Sequence, residues 1–123
     1  VPAAIAYLTG LLPGGLSELF AENRALALAG RQVLCDALGV DSPCPDSMIG
    51  SLASVPLPDG DGAPERSPLY LDPLQDELFE KDGIEVPIIP WPAAPKRLVR
   101  ISAQLYNEPS QYERLAEALQ KRL

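Results

Sequence analysis

The segment Leu98–Asn107, LVRISAQLYN, sets an arginine among strand-forming residues. Side chains alternate along a strand, so Val99, Ile101, Ala103 and Leu105 share an apolar face while Leu98, Arg100, Ser102 and Gln104 share the other. A guanidinium is a planar fork that takes a carboxylate by two parallel hydrogen bonds, fixing orientation as well as charge. Two partners suit Arg100. One is an acid of the chain itself, with Glu85 on a neighbouring strand the candidate. The other is the carboxylate of a ligand such as an amino acid.

Other chemistry is sparse. The chain has no histidine, so neither a Ser-His-Asp nor a Cys-His arrangement forms within it. Cys35 and Cys44 are too few for a disulfide framework and make no zinc set without histidine. Cys35 falls in a helical pattern and reads as packing. Cys44, in the proline-bracketed loop SPCPD, reads as an inert thiol with nothing to activate it. The acids Asp59 and Asp61 resemble a calcium loop only faintly, because the ligand spacing and terminal glutamate of an EF-hand are missing, and no metal site is expected. The lysines, Lys81, Lys96 and Lys121, stand at a helix end, a strand start and the chain terminus. None has a buried, acid-partnered setting.

These residues must be positioned by one modest core. A chain of 123 residues, 46% apolar, falls in the single-domain range and buries roughly two thirds of its unfolded surface. The net charge of −7 and pI near 4.4 oppose binding to nucleic acid or anionic membranes, since the cationic residues do not cluster. Val1–Leu12 is the most apolar run, but Pro2, Thr9 and Gly10 interrupt it, and it is shorter than the roughly 20 residues of a bilayer span. A soluble, cytoplasmic protein is expected. The opening on Val rather than Met, directly into apolar sequence, suggests a processed or excised piece.

Proline and glycine punctuate the elements. Residues 2–12 read as a short apolar helix closed by Pro13-Gly14-Gly15. Ser17 is the expected N-cap of a helix of about 22 residues, some 33 Å at the standard rise, with Leu19, Phe20, Ala27, Gly30, Val33, Leu34, Ala37 and Leu38 on its buried stripe and Gly39 at C′. A strand is expected over Met48–Leu57 and a flexible loop over 58–68. Asp72 caps a helix running to Lys81 and stopped by Gly83, with Leu74, Leu78 and Phe79 on one face. IEVPIIPWP forms a second strand, placed at an edge because Pro87 and Pro90 lack the ladder donor, and Trp91 covers a core edge. Lys96–Leu105 is the third strand. Asn107 makes an Asx turn, Pro109 enters the first turn of the last helix, and Tyr112, Leu115, Ala116 and Leu119 form its buried stripe. The order ααβαββα gives an α/β protein of α+β type, a small, mainly antiparallel three-stranded sheet covered by helices.

The runs NRALALAGRQVLCDALG, PCPDSMIGSLASVPLP, DPLQDELFEKDGIEVPIIPWP and RLVRISAQLYNEPSQYERLAEAL together resemble the C-terminal small domain of class V aminotransferase-like enzymes, in the isopenicillin N epimerase-like branch, from about Ala3 onward. These enzymes depend on pyridoxal phosphate and have the fold type I architecture. The resemblance implies that residues 1–123 form one C-terminal small domain, with 1–15 packing on a large domain. In the R-x-S-x-x-x-Y-N pattern the arginine binds the substrate α-carboxylate. Arg100, Ser102, Tyr106 and Asn107 occupy those positions, Arg100 as the anchor and Ser102 and Asn107 as its support. The pattern commonly continues Asn-Thr, and this chain has Asn107-Glu108, which alters the cap of the last helix. No catalytic, cofactor-binding or metal residue is expected in this chain, because the Schiff-base lysine, the acid on the pyridinium nitrogen and the phosphate cup belong to the large domain.

The implied parent is a pyridoxal phosphate enzyme acting on an amino acid or aminoacyl peptide, a homodimer, with epimerisation suggested by the closer branch. A transaminase, lyase or desulfurase would use the same anchor. A desulfurase needs a mobile nucleophilic cysteine, and neither Cys35 nor Cys44 stands where one is expected. A different class of function is a stand-alone acidic interaction domain without catalysis, in which Arg100 is neutralised internally.

Overall fold

A computed structural model describes residues 1–61 and 72–123 of the chain. Among the described residues there are four α-helices, α1 (Pro2–Thr9), α2 (Gly15–Leu38), α3 (Pro73–Asp82) and α4 (Pro109–Arg122), and three strands, β1 (Leu52–Leu57), β2 (Ile88–Pro90) and β3 (Arg97–Ser102). The strands form one antiparallel sheet in the order β1-β3-β2. The expected α+β architecture and element order are therefore observed. No helix among the described residues is long and apolar enough to cross a membrane.

One face of the sheet, carrying Ala53, Val55, Ile88, Val99 and Ile101, is buried together with Ala27 and Leu34 of α2, Leu78 of α3, and Leu115 and Leu119 of α4. The predicted stripe of α4 is buried throughout. Cys35 lies in the same core, and burial pushes its thiol above the usual range, with nearby Arg31 pulling the other way. The opposite sheet face is left open at Arg100 and Ser102.

Local signals act as the sequence indicates at several ends. Gly39 and Gly83 close α2 and α3 at φ 64°, the left-handed conformation that glycine adopts without a Cβ clash. The Asp72 carboxylate accepts the Leu74 N–H at 2.9 Å and also pairs with Arg97 at 2.8 Å, so one side chain caps α3 and ties it to β3. Pro109 starts α4, and the Gln111 side chain reaches back to accept the Glu108 N–H at 3.0 Å. That is half of a capping box built on the residue that departs from the Asn-Thr pattern.

Other expectations are corrected. The first helix stops at Thr9, with Gly10 as its C-cap. The second begins at Gly15 rather than after a Ser17 cap, because the Glu18 carboxylate takes the Gly14 N–H at 2.6 Å. The strand expected from Met48 starts at Leu52, since Asp46–Met48 forms a 3₁₀ turn. Arg24 holds that turn against α2 by donating to the Asp46 and Ile49 carbonyls. Buried Arg31 joins it through the Asp46 carboxylate and the Cys44 carbonyl. Both later strands are shorter than their apolar runs. Phe20, Phe79 and Trp91 are about 60% exposed or more, so none fills the core or covers its edge. Leu105 leaves the apolar face because it lies in the turn closed by the Asn107 N–H on the Gln104 carbonyl, whereas Ala103 is still buried. Within the expected loop at 58–68, the Pro58 carbonyl accepts from Arg97 and the Gly60 N–H bonds the Pro95 carbonyl, so its first residues are fixed to the sheet. Residues 62–68 of that loop lie outside the described residues.

Candidate functional site

A break in the sheet edge builds the site. β2 pairs with β3 only from Pro90↔Arg97 to Ile88↔Val99, and one further backbone bond follows, Arg100 N–H to the Pro87 carbonyl at 3.1 Å. Proline has no N–H to return that bond. Beyond it residues 83–86 make no ladder pair with β3. The gap between them and the start of α4 is a cleft of about 330 Å³, at the lower end of the range for small-molecule sites.

The sequence-predicted residues Arg100, Ser102 and Asn107 all line this cleft, as does Tyr106. Their surroundings differ. Asn107 is committed to the turn: its Oδ1 accepts the Gln104 N–H at 3.0 Å and its Nδ2 donates to Gln111 Oε1 at 3.0 Å. It thus sets where α4 begins. Ser102 is exposed, and its backbone carbonyl accepts the Tyr112 hydroxyl at 2.9 Å. Tyr112 is buried, and burial raises its phenol above the usual range, with Tyr106 adding a smaller push.

Arg100 differs from its fellow arginines. Arg24, Arg31, Arg97, Arg114 and Arg122 each donate to a backbone or carboxylate acceptor. The Arg100 guanidinium has no hydrogen-bond or ion-pair partner among the described residues. The ion pair with Glu85 weighed from the strand pattern is not formed, although Glu85 lines the same cleft. Both side chains are exposed, and nothing offsets the entropy of fixing two long side chains in water.

The lining also contains Arg114 of α4, which sequence reasoning did not single out. An arginine on the polar face of an amphipathic helix carries no signal distinguishing it from any solvated charge. No lysine lines the cleft, and Lys81, Lys96 and Lys121 are all exposed. Lys81 pairs with Glu77 at 3.1 Å. The residues present do not fit a Schiff-base site, but they do fit the binding of an acid: a guanidinium with no partner among the described residues, the flanking hydroxyls of Ser102 and Tyr106, and the apolar Ile101 and Leu115 in the lining.

No family model matches the chain. It is 30% identical over 97% of its length to the probable L-cysteine desulfhydrase, chloroplastic, of Arabidopsis thaliana. It is 31% identical over 98% to the isopenicillin N epimerase of Amycolatopsis lactamdurans and 32% identical over 96% to that of Streptomyces clavuligerus. The chain spans about a quarter of the length of these relatives, 26%, 28% and 27% respectively. The resemblance to the epimerase-like branch read from the sequence is borne out by these relatives.

Proposed function

We propose that this chain, a relative of the isopenicillin N epimerase-like branch of the class V aminotransferase-like enzymes, is the substrate-side small domain of a pyridoxal phosphate enzyme acting on an amino acid or aminoacyl peptide, with Arg100 anchoring the α-carboxylate. The observation that carries this reading is the Arg100 guanidinium at the wall of a cleft, without a partner among the described residues. The alternative, a stand-alone interaction domain, expects that charge to be neutralised internally.

On this reading the carboxylate takes two parallel hydrogen bonds from the fork, which fixes the rotation of the ligand about its Cα. Asn107 acts indirectly, by holding the turn that sets α4 and the Tyr112 ring beside Ser102. The cofactor, its lysine and its phosphate cup belong to the rest of the parent polypeptide, and no residue of this chain is assigned to hold them. That remainder also gives α1 its partner. All residues of α1 are at least partly exposed, Ile5 and Tyr7 among them, as is Phe20 on α2, and relatives about four times longer supply the mass to cover them. The parent is expected to be a homodimer.

The test is Arg100→Lys in the longer polypeptide. Lysine keeps the charge and loses the fork, so kcat/KM for carboxylate-bearing amino acids should fall roughly a hundredfold, equivalent to the 2–3 kcal/mol of a charge-assisted hydrogen bond. Unchanged kinetics would remove the anchor role.

A further inference from the structure

The Arg100 cleft carries a second guanidinium whose placement is not explained by α-carboxylate binding alone. Arg114 stands on α4 over Gly83, where an added Cβ would lie 3.8 Å from its Nη2. Gly83 is a left-handed residue without a side chain, so nothing at that position separates Arg114 from the cleft. Nη2 donates to the Asp82 carbonyl, a backbone acceptor. The Asp82 carboxylate is itself engaged by Arg122 at 2.5 Å. Arginine has five N–H donors, and the other nitrogens of Arg114 have no acceptor among the described residues. Its orientation is thus fixed by one backbone bond; its charge acts on the nearby Asp82 carboxylate, but that carboxylate forms its ion pair with Arg122 rather than with Arg114. In a chain of net charge −7, the charged residues of this lining are Arg100, Arg114 and Glu85, a local excess of one positive charge.

The geometry points to a ligand with two acid groups. Arg100 takes the α-carboxylate and Arg114 takes a second carboxylate at the other end of a short chain, as in an amino-dicarboxylic acid or an amino acid acylated with a diacid. Arg114 is then the residue that sets preference for acidic over neutral side chains. This assignment rests on the reading of Arg100 as an acid anchor and adds a specificity contact to it. A guanidinium held by a single backbone bond at a cleft rim needs little reorganisation to meet an anion. Solvent exposure keeps the gain modest.

The experiment titrates the ¹⁵N-labelled chain at low salt with glutarate and, separately, butyrate, following the arginine Nε–Hε resonances. Glutarate should move both Arg100 and Arg114 and bind roughly fivefold tighter than butyrate, the upper range for one exposed ion pair. Arg114→Gln, with its amide dispersion checked for an intact fold, should abolish that preference. Equal affinities for the two probes with a response at Arg100 would overturn the second contact and leave the anchor standing. No response at Arg100 to either probe would overturn both. A preference for glutarate that survives Arg114→Gln would assign it elsewhere and refute the role of Arg114.

Discussion

Gly30→Ala should destabilise this protein, although glycine inside a helix ordinarily costs about 1 kcal/mol relative to alanine. The reason is the crossing of α2 and α4. A Cβ at Gly30 would fall 2.8 Å from Tyr112 Cγ and 3.0 Å from Ile101 Cδ1. The isoleucine methyl is a chain end and rotates aside. Tyr112 Cγ is the root of a ring, so the ring must move with its backbone, and its hydroxyl then leaves the Ser102 carbonyl. Overpacking of this kind costs about 2 kcal/mol and the lost hydrogen bond about 1 kcal/mol. Against these stands the helix-propensity gain of about 1 kcal/mol. The net loss is about 2 kcal/mol, or roughly 8 °C in Tm at the usual unfolding entropy per residue. Urea unfolding at neutral pH measures it, with a second series in a Tyr112→Ala background, which has no Cγ. There the obstruction is gone and Gly30→Ala should become stabilising by about 1 kcal/mol. If Gly30→Ala is neutral or stabilising in the wild-type background, the close approach of the helices does not constrain this position and the reasoning fails.

Asp72→Ala removes both the cap of α3 and the partner of Arg97, and should cost about 2–3 kcal/mol, the sum of a cap and a charge-assisted bond. Asp72→Asn keeps a capping oxygen and should cost less in the same denaturation assay. At alkaline pH, burial holds the Tyr112 phenol above its ordinary value, so the unfolded chain releases that proton first. The stability this contributes is complete below about pH 10 and is lost as pH rises through the higher folded value. Tm should fall in that window, and Tyr112→Phe should flatten the fall. At the acid end, the hydrogen bond from Lys81 holds the Glu77 carboxyl below its usual range, and the hydrogen bond from Arg122 does the same for Asp82. Their contribution is present above the ordinary carboxylate range and is lost as pH falls through the depressed folded values. Arg122→Gln should weaken the acid dependence of Tm, and an unaltered profile would show that these pairs do not contribute.

What the sequence determined by itself was local or inherited. Element order follows from proline and glycine punctuation. The Asp72 cap and the left-handed Gly39 and Gly83 follow from residues a few positions apart, and the alternation at Val99, Arg100 and Ile101 follows from the pleat of a strand. The kinship with epimerase-like enzymes follows from runs distributed along the chain. What the tertiary structure alone decided depends on how those elements meet. Gly30 read as one small member of an apolar stripe until α4 was placed against it. Phe20, Phe79 and Leu105 read as core because hydrophobic periodicity records which face of an element is apolar, not whether another element reaches that far along it. Arg100 has no partner among the described residues and shares a cleft with Arg114 because ladder pairing with β3 stops at β2, where the preceding Pro87 has no N–H to give. The cleft between segments distant in sequence is therefore a consequence of packing, and no local pattern encodes it.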